Sequence, residues 1–162
     1  GATDDRGRAV IFSDASRQDR NKYSRESMIR AVWYLLHAVL FSSESAQRHG
    51  VICVSDPSRA QFSQIDTKLA KLLIPSVLGA IPLRISAYHI CNAPSYASMV
   101  WAVVKHFISA RLRKRVFYHA GPKILKQLAA YGLESNMVPT CLGGTAEINH
   151  SEWMLDQMAN GL

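Results

Sequence analysis

The sequence predicts an α/β fold, with a mostly parallel sheet flanked by helices. Short β-branched runs bounded by turn residues alternate with longer segments whose apolar residues recur every three or four positions. These two patterns are typical of buried strands and amphipathic helices. Their regular alternation favours parallel strands joined by right-handed helical crossovers. The chain has 162 residues, which fits the usual domain size of about 100–200 residues, so we expect a single domain over residues 1–162.

The predicted strands are short and are bounded by turn-forming residues. Gly7 precedes the first strand, and Gly50 and Pro57 enclose the second. A β-branched run between such residues is typical of a strand. The predicted strands are Ala9–Phe12, Val51–Ser55, Leu83–Cys91 and Val116–His119.

Helical periodicity follows each predicted strand. Ser24 and Ser27 favour the start of the first helix. We expect Asp56 and Ser58 to cap the helix after the second strand, and Pro75 to kink or stop that helix. The predicted helices are Ser24 to about Arg48, Phe62–Leu73, Tyr96–Phe107, Lys123 to about Tyr131 and Ser151–Met158.

Composition and charge narrow the classes of protein that fit. Apolar residues make up 48% of the chain and charged residues 19%, which excludes a disordered polar chain. The net charge of +7 favours an anionic partner, namely phosphate headgroups, nucleic acid or an acidic protein surface. Cys53, Cys91 and Cys141 lie far apart without a CxxC motif, so we expect reduced thiols in a cytosolic chain and no zinc site. No apolar run reaches the roughly 18 residues of a membrane span.

The sequence contains no catalytic or metal-binding motif. It lacks the phosphate-binding loops GxGxxG and GxxxxGK[ST], the nucleophile motif GxSxG and the zinc motif HExxH. His37 and His89 lie in apolar segments, where a histidine is more often a hydrogen-bonded core residue than a metal ligand. Cys53 and Cys91 are interpreted as small buried hydrophobic residues, because no basic side chain beside them would lower a thiol pKa. The prediction is therefore a protein without enzymatic activity and without a metal.

Two neighbouring features are unusual for an ordinary core. The predicted helix Tyr96–Phe107 carries large apolar residues on every face, which is typical of a helix that is buried or that touches lipid. A strongly basic run follows it immediately. An apolar helix next to a basic segment favours a surface that meets an anionic membrane. The basic residues in this run are Arg111, Arg113, Lys114 and Arg115.

Four segments match the motifs of a known family in order and spacing. Residues 6–10 (R-G-R-A-V) are similar to its D-G-R-P-V strand, and residues 90–94 (I-C-N-A-P) to its I-I-N-A-P strand end. Residues 105–116 (K-H-F-I-S-A-R-L-R-K-R-V) are similar to its K-P-F-L segment, and residues 137–144 (M-V-P-T-C-L-G-G) to L-P-x-x-x-G-G. The chain thus resembles the CRAL-TRIO lipid-binding domain, the family of cellular retinaldehyde-binding protein, α-tocopherol transfer protein and the Sec-fourteen-like phosphatidylinositol transfer proteins.

The resemblance implies a hydrophobic lipid pocket between the sheet and the helix after residues 92–94, with that helix acting as a mobile gate. The implied pocket residues are Val51, Cys53, Ser55, Leu83, Ile85, Tyr88, Ala97, Trp101, Val104, Val116 and Tyr118. The implied gate helix carries Tyr96, Met99, Val100, Val103 and Phe107. Arg115 aligns with the lysine that contacts the lipid headgroup in the family, whereas Arg111, Arg113 and Lys114 are expected to face the membrane.

Three polar positions of the phosphatidylinositol-binding members are apolar or nearly so here. Leu83 stands where those members have an acidic residue, and Val51 and Cys53 stand where they have serine and threonine. These departures favour a lipid with a less polar end or a different headgroup geometry. The helical lobe that precedes the domain in the family has no counterpart here, which suggests an excised domain.

The expected partners follow from the resemblance. They are one hydrophobic lipid and, peripherally, an anionic membrane surface in the cytoplasm. We expect no nucleic-acid partner, no cofactor other than the bound lipid, and a monomer. The alternative hypothesis is a protein-interaction module of the same fold, without catalysis, inside a larger signalling protein.

Overall fold

The fold is built on a parallel sheet. The strands are β1 (Ala9–Ser13), β2 (Val51–Ser55), β3 (Ile85–Cys91) and β4 (Val116–His119). The computed structural model describes residues 3–161, and in it the four strands form one sheet in the order β1-β2-β3-β4. Every neighbouring pair is parallel, which confirms the predicted α/β class and parallel sheet.

Helices connect the strands and follow the last one. They are α1 (Arg25–Ser42), α2 (Glu44–His49), α3 (Thr67–Ala80), α4 (Ala97–Val104), α5 (Ala110–Arg113), α6 (Ile124–Ala129) and α7 (His150–Ala159). Because the strand order follows the chain order, right-handed crossovers place the connecting helices on one face of the sheet. Residues of α1, α2 and α3 pack there, while α6 and the segment after it pack on the opposite face.

Strand register assigns the side chains to two faces. The first, which we call the sealed face, carries Val10, Phe12, Ile52, Val54, Ala87, His89, Cys91, Phe117 and His119. The second, which we call the open face, carries Ala9, Ile11, Ser13, Val51, Cys53, Ser55, Ile85, Tyr88, Ile90, Val116 and Tyr118. The register shifts between Val51 and Ile52, where β3 has one extra residue, so Ile85 and Tyr88 lie on the same face.

The sealed face is buried along β2 and β3, while Val10, Phe12 and Phe117 at its two sides keep some solvent access. Ile52 and Cys91 are fully buried against Leu128 of α6 and against Leu133 and Val138 of the segment that follows. Burying one such aliphatic side chain contributes about 1.5–3 kcal/mol. This cluster therefore fixes α6 and residues 131–142 against the sheet.

The predicted first helix is two helices in the structure. Ser24 and Ser27 form the expected capping box at the start of α1, but the extended backbone of Ser43 ends this helix before Arg48. The Ser43 side chain then accepts a hydrogen bond from the Ala46 amide, which caps α2. Gly50 ends α2 with a φ of 89°, a conformation that disfavours any residue with a Cβ atom.

The prediction that Asp56 and Ser58 cap α3 is wrong, and Pro75 does not stop this helix. Asp66 caps this helix by accepting hydrogen bonds from the amides of Lys68 and Leu69, whereas Asp56 accepts one from Ser58 within a local turn. The helix also continues through Pro75 to Ala80. Because Pro75 is exposed, its ring and its missing amide disturb the solvent side of the helix, while buried packing on the other side holds it together.

A histidine pair lies inside the sealed face. His89 is fully buried, and its Nδ1 is 2.8 Å from Nε2 of His119. His119 Nδ1 lies 3.2 Å from Oε1 of Gln127, and a carbonyl oxygen can only accept, so His119 Nδ1 carries the proton. His89 Nδ1 then donates to His119, and His89 Nε2 is an unprotonated nitrogen without a partner among the described residues. His37, in contrast, is exposed on α1 beside Trp33, so its prediction as a core residue was wrong.

We expect acid to destabilise the fold through His89. Burial, with smaller effects of His119 and Arg8, lowers the pKa of His89 from 6.5 to about 4. Between pH 6.5 and about pH 4 the unfolded chain binds a proton that the folded chain does not bind. The free energy of unfolding therefore falls as the pH drops from 6.5 to about 4, and this contribution is constant above that range. The free energy of unfolding, measured by urea denaturation, should be about 2 kcal/mol lower at pH 5 than at pH 7 from this group alone.

Two variants distinguish this effect from general acid denaturation. His89→Asn keeps an amide that can donate to His119 but removes the titrating ring, so its loss of stability in acid should be smaller. His37→Asn changes an exposed ring and should leave the pH dependence unchanged. An unaltered pH dependence in the His89 variant would mean that another group is responsible.

Candidate functional site

The open face is incompletely covered where β3 and β4 cross it. Along β3, Ile85, Tyr88 and Ile90 each keep some solvent access, whereas the alternating residues of the sealed face are buried. On β4, Tyr118 of the open face is 49% exposed, and the next residue, His119 of the sealed face, is only 6% exposed. The helices α1, α2 and α3 therefore pack over β1, β2 and the start of β3, and α4 contacts the sheet at Tyr118 of β4.

Helix α4 covers this region without being buried itself. Its eight residues, A-S-M-V-W-A-V-V, are nearly all apolar, yet none is buried, and Met99 is 58% exposed. On the side that faces the sheet, the Trp101 ring meets the Tyr118 ring edge-on at a centroid distance of 6.2 Å. A helix that is apolar on every face is normally buried or in contact with lipid, and α4 has no buried residue.

Polar groups lie in the middle of the open face. Burial raises the pKa of the Cys53 thiol to about 12 and also raises the pKa of Tyr88. The side chains of Ser13 and Ser55 lie close enough to the Tyr88 hydroxyl to oppose this rise in its pKa. Cys53 and Tyr88 nevertheless keep some solvent access, although both lie on the two inner strands. Both side chains are thus partly accessible on the open face, although Cys53 also packs against the cluster around Ala46 and Val51.

The structure places most of the predicted pocket residues around this region. The strand residues that share the open face are Val51, Cys53, Ser55, Ile85, Tyr88, Val116 and Tyr118. Ala97, Trp101 and Val104 lie in α4, together with Met99, Val100 and Val103, while Tyr96 and Phe107 flank this helix. Two positions are already filled in this conformation: Val51 is fully buried against Ala46 of α2, and Leu83 packs with residues of α1 and α3.

A cluster of arginines lies where β3 and β4 begin. Arg115 is half-buried and donates a 2.7 Å hydrogen bond to the carbonyl oxygen of Ile85. Burial, followed by the charges of Arg111 and Arg84, lowers the pKa of Arg115. Among residues 3–161, none of these three arginines has a carboxylate within 4.0 Å. The cluster therefore presents uncompensated positive charge beside the open face.

The sequence did not single out Arg84, and it did not show that the exposed Arg113 also bonds to the backbone. Arg84 belongs to the cluster because β3 and β4 are neighbours, a relation that residue spacing does not reveal. Arg113 donates hydrogen bonds to the carbonyl oxygens of Lys105 and Ile108 at 2.8 and 3.1 Å. Its guanidinium thus closes the turn between α4 and α5, whereas the side chain of Lys114 is exposed and has no acidic partner in the described chain.

Two clefts lie outside this region. One, of about 770 Å³, separates residues 16–21 from residues 59–64. The other, of about 830 Å³, follows the free edge of β1 between α1 and α7. No residue of α4 lines either cleft. Within residues 3–161 there is no group of three side chains that could hold a metal ion, and no helix is long and apolar enough to cross a membrane.

Comparison with known proteins identifies the family. The model of the CRAL/TRIO domain matches residues 1–144. The chain belongs to the CRAL/TRIO domain family. This confirms the resemblance recognised in the sequence motifs.

CRAL/TRIO relatives cover most of this chain. Alpha-tocopherol transfer protein-like of Mus musculus is 32% identical over 155 residues, which is 93% of this chain and 44% of that protein. Clavesin-1 of Xenopus laevis is 27% identical over 143 residues, covering 86% of this chain and 42% of that protein. The chain thus spans less than half the length of these curated relatives.

A solved structure shares the fold. The crystal structure of Sfh5 superposes with a TM-score of 0.61 at 16% sequence identity, covering 78% of this chain and 47% of that one. At this identity the likeness concerns the architecture, namely the parallel sheet and the helices around it.

The three thiols should differ sharply in reactivity. Burial raises the pKa of all three thiols, to about 12 for Cys53 and Cys91, but Cys141 alone is exposed. At pH 8 only about one in 10,000 of such buried thiols is the reactive thiolate. Iodoacetamide should therefore modify Cys141 in the folded protein and reach the other two only in denaturant, as measured by peptide mass spectrometry. Cys141→Ser should abolish the fast modification; fast modification of native Cys53 would contradict its position.

Proposed function

We propose that this CRAL/TRIO domain binds one hydrophobic lipid between α4 and strands β3 and β4, and transfers or presents it at membranes. The observation that carries the proposal is the state of α4, a nearly all-apolar helix without a buried residue above a sheet face that keeps solvent access. A lipid in this space would remove apolar surface of both the helix and the sheet from water. Membership of the family and the name of the tocopherol transfer protein-like relative support this proposal.

The proposed ligand has a small and uncharged polar end. The hydroxyl of Tyr88 with those of Ser13 and Ser55 offers hydrogen bonds in the middle of an apolar surface. No carboxylate lies on the open face, and Leu83 occupies the position of the family's acidic residue. A hydroxyl or carbonyl group would match these partners, while a charged group would lose hydration that they do not replace.

The proposed membrane side is the arginine cluster and the exposed face of α5. Arg84, Arg111 and Arg115 lie close together, and Lys114 adds a further exposed charge. Each basic residue near an anionic cytoplasmic leaflet contributes about 1 kcal/mol. Binding would be peripheral, with α4 near the lipid surface so that its movement could open the space beneath it.

A second candidate function is a protein-interaction module of the same fold. The exposed apolar side chains of α4, such as Met99, would then contact a partner protein instead of a lipid. Native mass spectrometry of protein purified from cells separates the two functions. A co-purified mass of several hundred daltons that detaches in organic solvent supports lipid binding, whereas protein that stays empty after incubation with a cellular lipid extract contradicts it.

Trp101→Ala should impair lipid binding more than folding. The indole contacts Tyr118 across the proposed site and lies in a helix without buried residues, so its loss opens no cavity in the core. We expect the lipid bound per folded molecule to fall about tenfold, equivalent to about 1.4 kcal/mol. Liquid chromatography and mass spectrometry of extracted lipid, normalised to folded protein, measure this ratio.

Trp33→Ala is the matched control. Trp33 lies in α1, donates to the Ser76 hydroxyl at 3.2 Å and packs with the α1–α3 core. Its removal should cost about 3–5 kcal/mol of stability and leave the lipid per folded molecule unchanged. If Trp101→Ala behaves like this control, its indole is a core residue and the proposed site is wrong.

Reversing exposed charges on α5 and the residue after it should weaken membrane binding. Arg111→Glu combined with Lys114→Glu leaves Arg113 and its two backbone hydrogen bonds in place. We expect binding to vesicles containing phosphatidylserine to fall more than about tenfold, since each charge contributes about 1 kcal/mol. Co-sedimentation measures the bound fraction.

The same charge change elsewhere provides the control. Arg30→Glu with Arg48→Glu alters two exposed arginines on α1 and α2 and should reduce vesicle binding much less. High salt should mimic the α5 variant, because the screening length shrinks to about 3 Å near 1 M. Equal losses in the two double variants would show that net charge, and not this surface, determines binding.

A further inference from the structure

The cleft between residues 16–21 and residues 59–64 is a preformed polar site. Gln64 Nε2 donates hydrogen bonds to the carbonyl oxygens of Ser16 and Gln18 at 2.8 and 2.9 Å. Arg20 donates to the carbonyl oxygen of Ser63 at 3.2 Å. These bonds join the loop after β1 to the loop after β2. The two walls are therefore held at a fixed separation without a ligand.

The lining of the cleft excludes apolar ligands. All of its lining residues are polar, and they include serine, asparagine and glutamine side chains from both loops. An acyl chain or a flat aromatic ring would find no apolar or aromatic side chain among the residues that line it. The volume of about 770 Å³ is larger than one inorganic anion needs. It suits a small molecule with many hydrogen-bonding groups.

Three guanidinium groups line the cleft from opposite sides. Arg17 and Arg20 belong to the first loop, and Arg59 belongs to the second. Arg59 has no carboxylate within 4.0 Å among residues 3–161. Arginine presents a planar fork of donors that matches the oxygens of a phosphate group.

The carboxylates around the cleft pair with two of its arginines as well as with other cations. Asp14 lies 3.4 Å from Arg17, and Asp66 lies 3.5 Å from Arg20 but 2.8 Å from Arg25 outside the cleft. The one carboxylate in the lining, Asp19, lies 3.7 Å from Lys22. Positive charge in the cleft is therefore most available at Arg59, which feels the charge of Asp14 but forms no ion pair among residues 3–161.

We propose that this cleft binds a phosphate group carried by a small polyol. The arginines would hold the phosphate, and the amide and hydroxyl side chains would bind the hydroxyl groups of the polyol. The cleft lies where β1 and β2 end, whereas the arginine cluster near Ile85 lies where β3 and β4 begin. Because the strands are parallel, the two sites are at opposite edges of the sheet, and this one is separate from the proposed lipid site.

The test is a titration followed by NMR of the arginine Nε–H groups and the Gln64 side-chain amide. The probes are glycerol phosphate, inorganic phosphate and sulfate at constant ionic strength. Glycerol phosphate should shift the signals of Arg17, Arg20 and Arg59 saturably and more tightly than sulfate. Arg59→Gln should weaken this binding about tenfold or more, as expected for a lost hydrogen bond to a charged group.

Two control variants test whether the weaker binding of glycerol phosphate is specific to the loss of Arg59. Arg30→Gln removes an exposed arginine of α1 outside the cleft, and Arg115→Gln removes one from the other basic cluster. Both should bind glycerol phosphate at the cleft as the unmodified protein does. Because the Arg59 side chain is exposed and makes no ion pair in the described chain, its replacement should leave the thermal unfolding temperature unchanged.

A vesicle titration identifies the source of the phosphate group. Phosphatidylcholine vesicles with phosphatidic acid that displace glycerol phosphate from the cleft indicate a lipid headgroup. Vesicles without effect indicate a soluble phosphorylated polyol. The proposal is overturned if sulfate binds as tightly as glycerol phosphate, if the cleft signals do not saturate, or if Arg59→Gln titrates like the unmodified protein.

Discussion

The unequal covering of the two faces of the parallel sheet determines the rest of this structure. The inner strands carry apolar side chains on both faces, so both faces must be kept from water. On the sealed face, Ile52, Cys91 and Leu128 meet at full burial. On the open face, α1 to α3 pack over β1, β2 and the start of β3. The rest of β3 and β4 keeps solvent access beside α4, a helix of only eight residues.

Polar side chains on the two faces of the sheet also differ in how far they are enclosed. On the sealed face, the His89 and His119 rings are enclosed, and only one proton lies between them. Their neutral state is part of the packing, which links this core to pH. On the open face, Tyr88, with Ser13 and Ser55 near its hydroxyl, keeps some solvent access. Side chains on the inner strands are therefore enclosed on one face and accessible on the other.

Positive charge is concentrated at the two ends of the strands. At the start of β3 and β4, Arg115 is anchored to a backbone carbonyl and has arginine neighbours. At the end of β1 and β2, Arg59 faces a cleft whose walls are fixed by Gln64. The net charge of +7 is thus not distributed evenly over the surface. It forms local fields that can bind anions separately at each edge.

The sequence by itself determined the elements whose signals are local. The bounds of β2 and β4, the capping box at Ser24 and the apolar character of α4 all depend on residues adjacent in the chain, and the family motifs fixed the architecture. Local signals failed where more distant packing decided the outcome. Ser43 breaks the first helix, and α3 passes through Pro75 because its buried side is held by other helices.

Only the tertiary structure decided how the site is assembled. Ile85 and Tyr88 share the open face because β3 carries an extra residue opposite β2, and alternation along a single strand would have separated them. Arg84 joins Arg115 because two strands are neighbours, and Val51 is removed from the open space because α2 packs on it. These relations depend on register and packing between segments that are far apart in the chain, which residue spacing within one segment cannot specify.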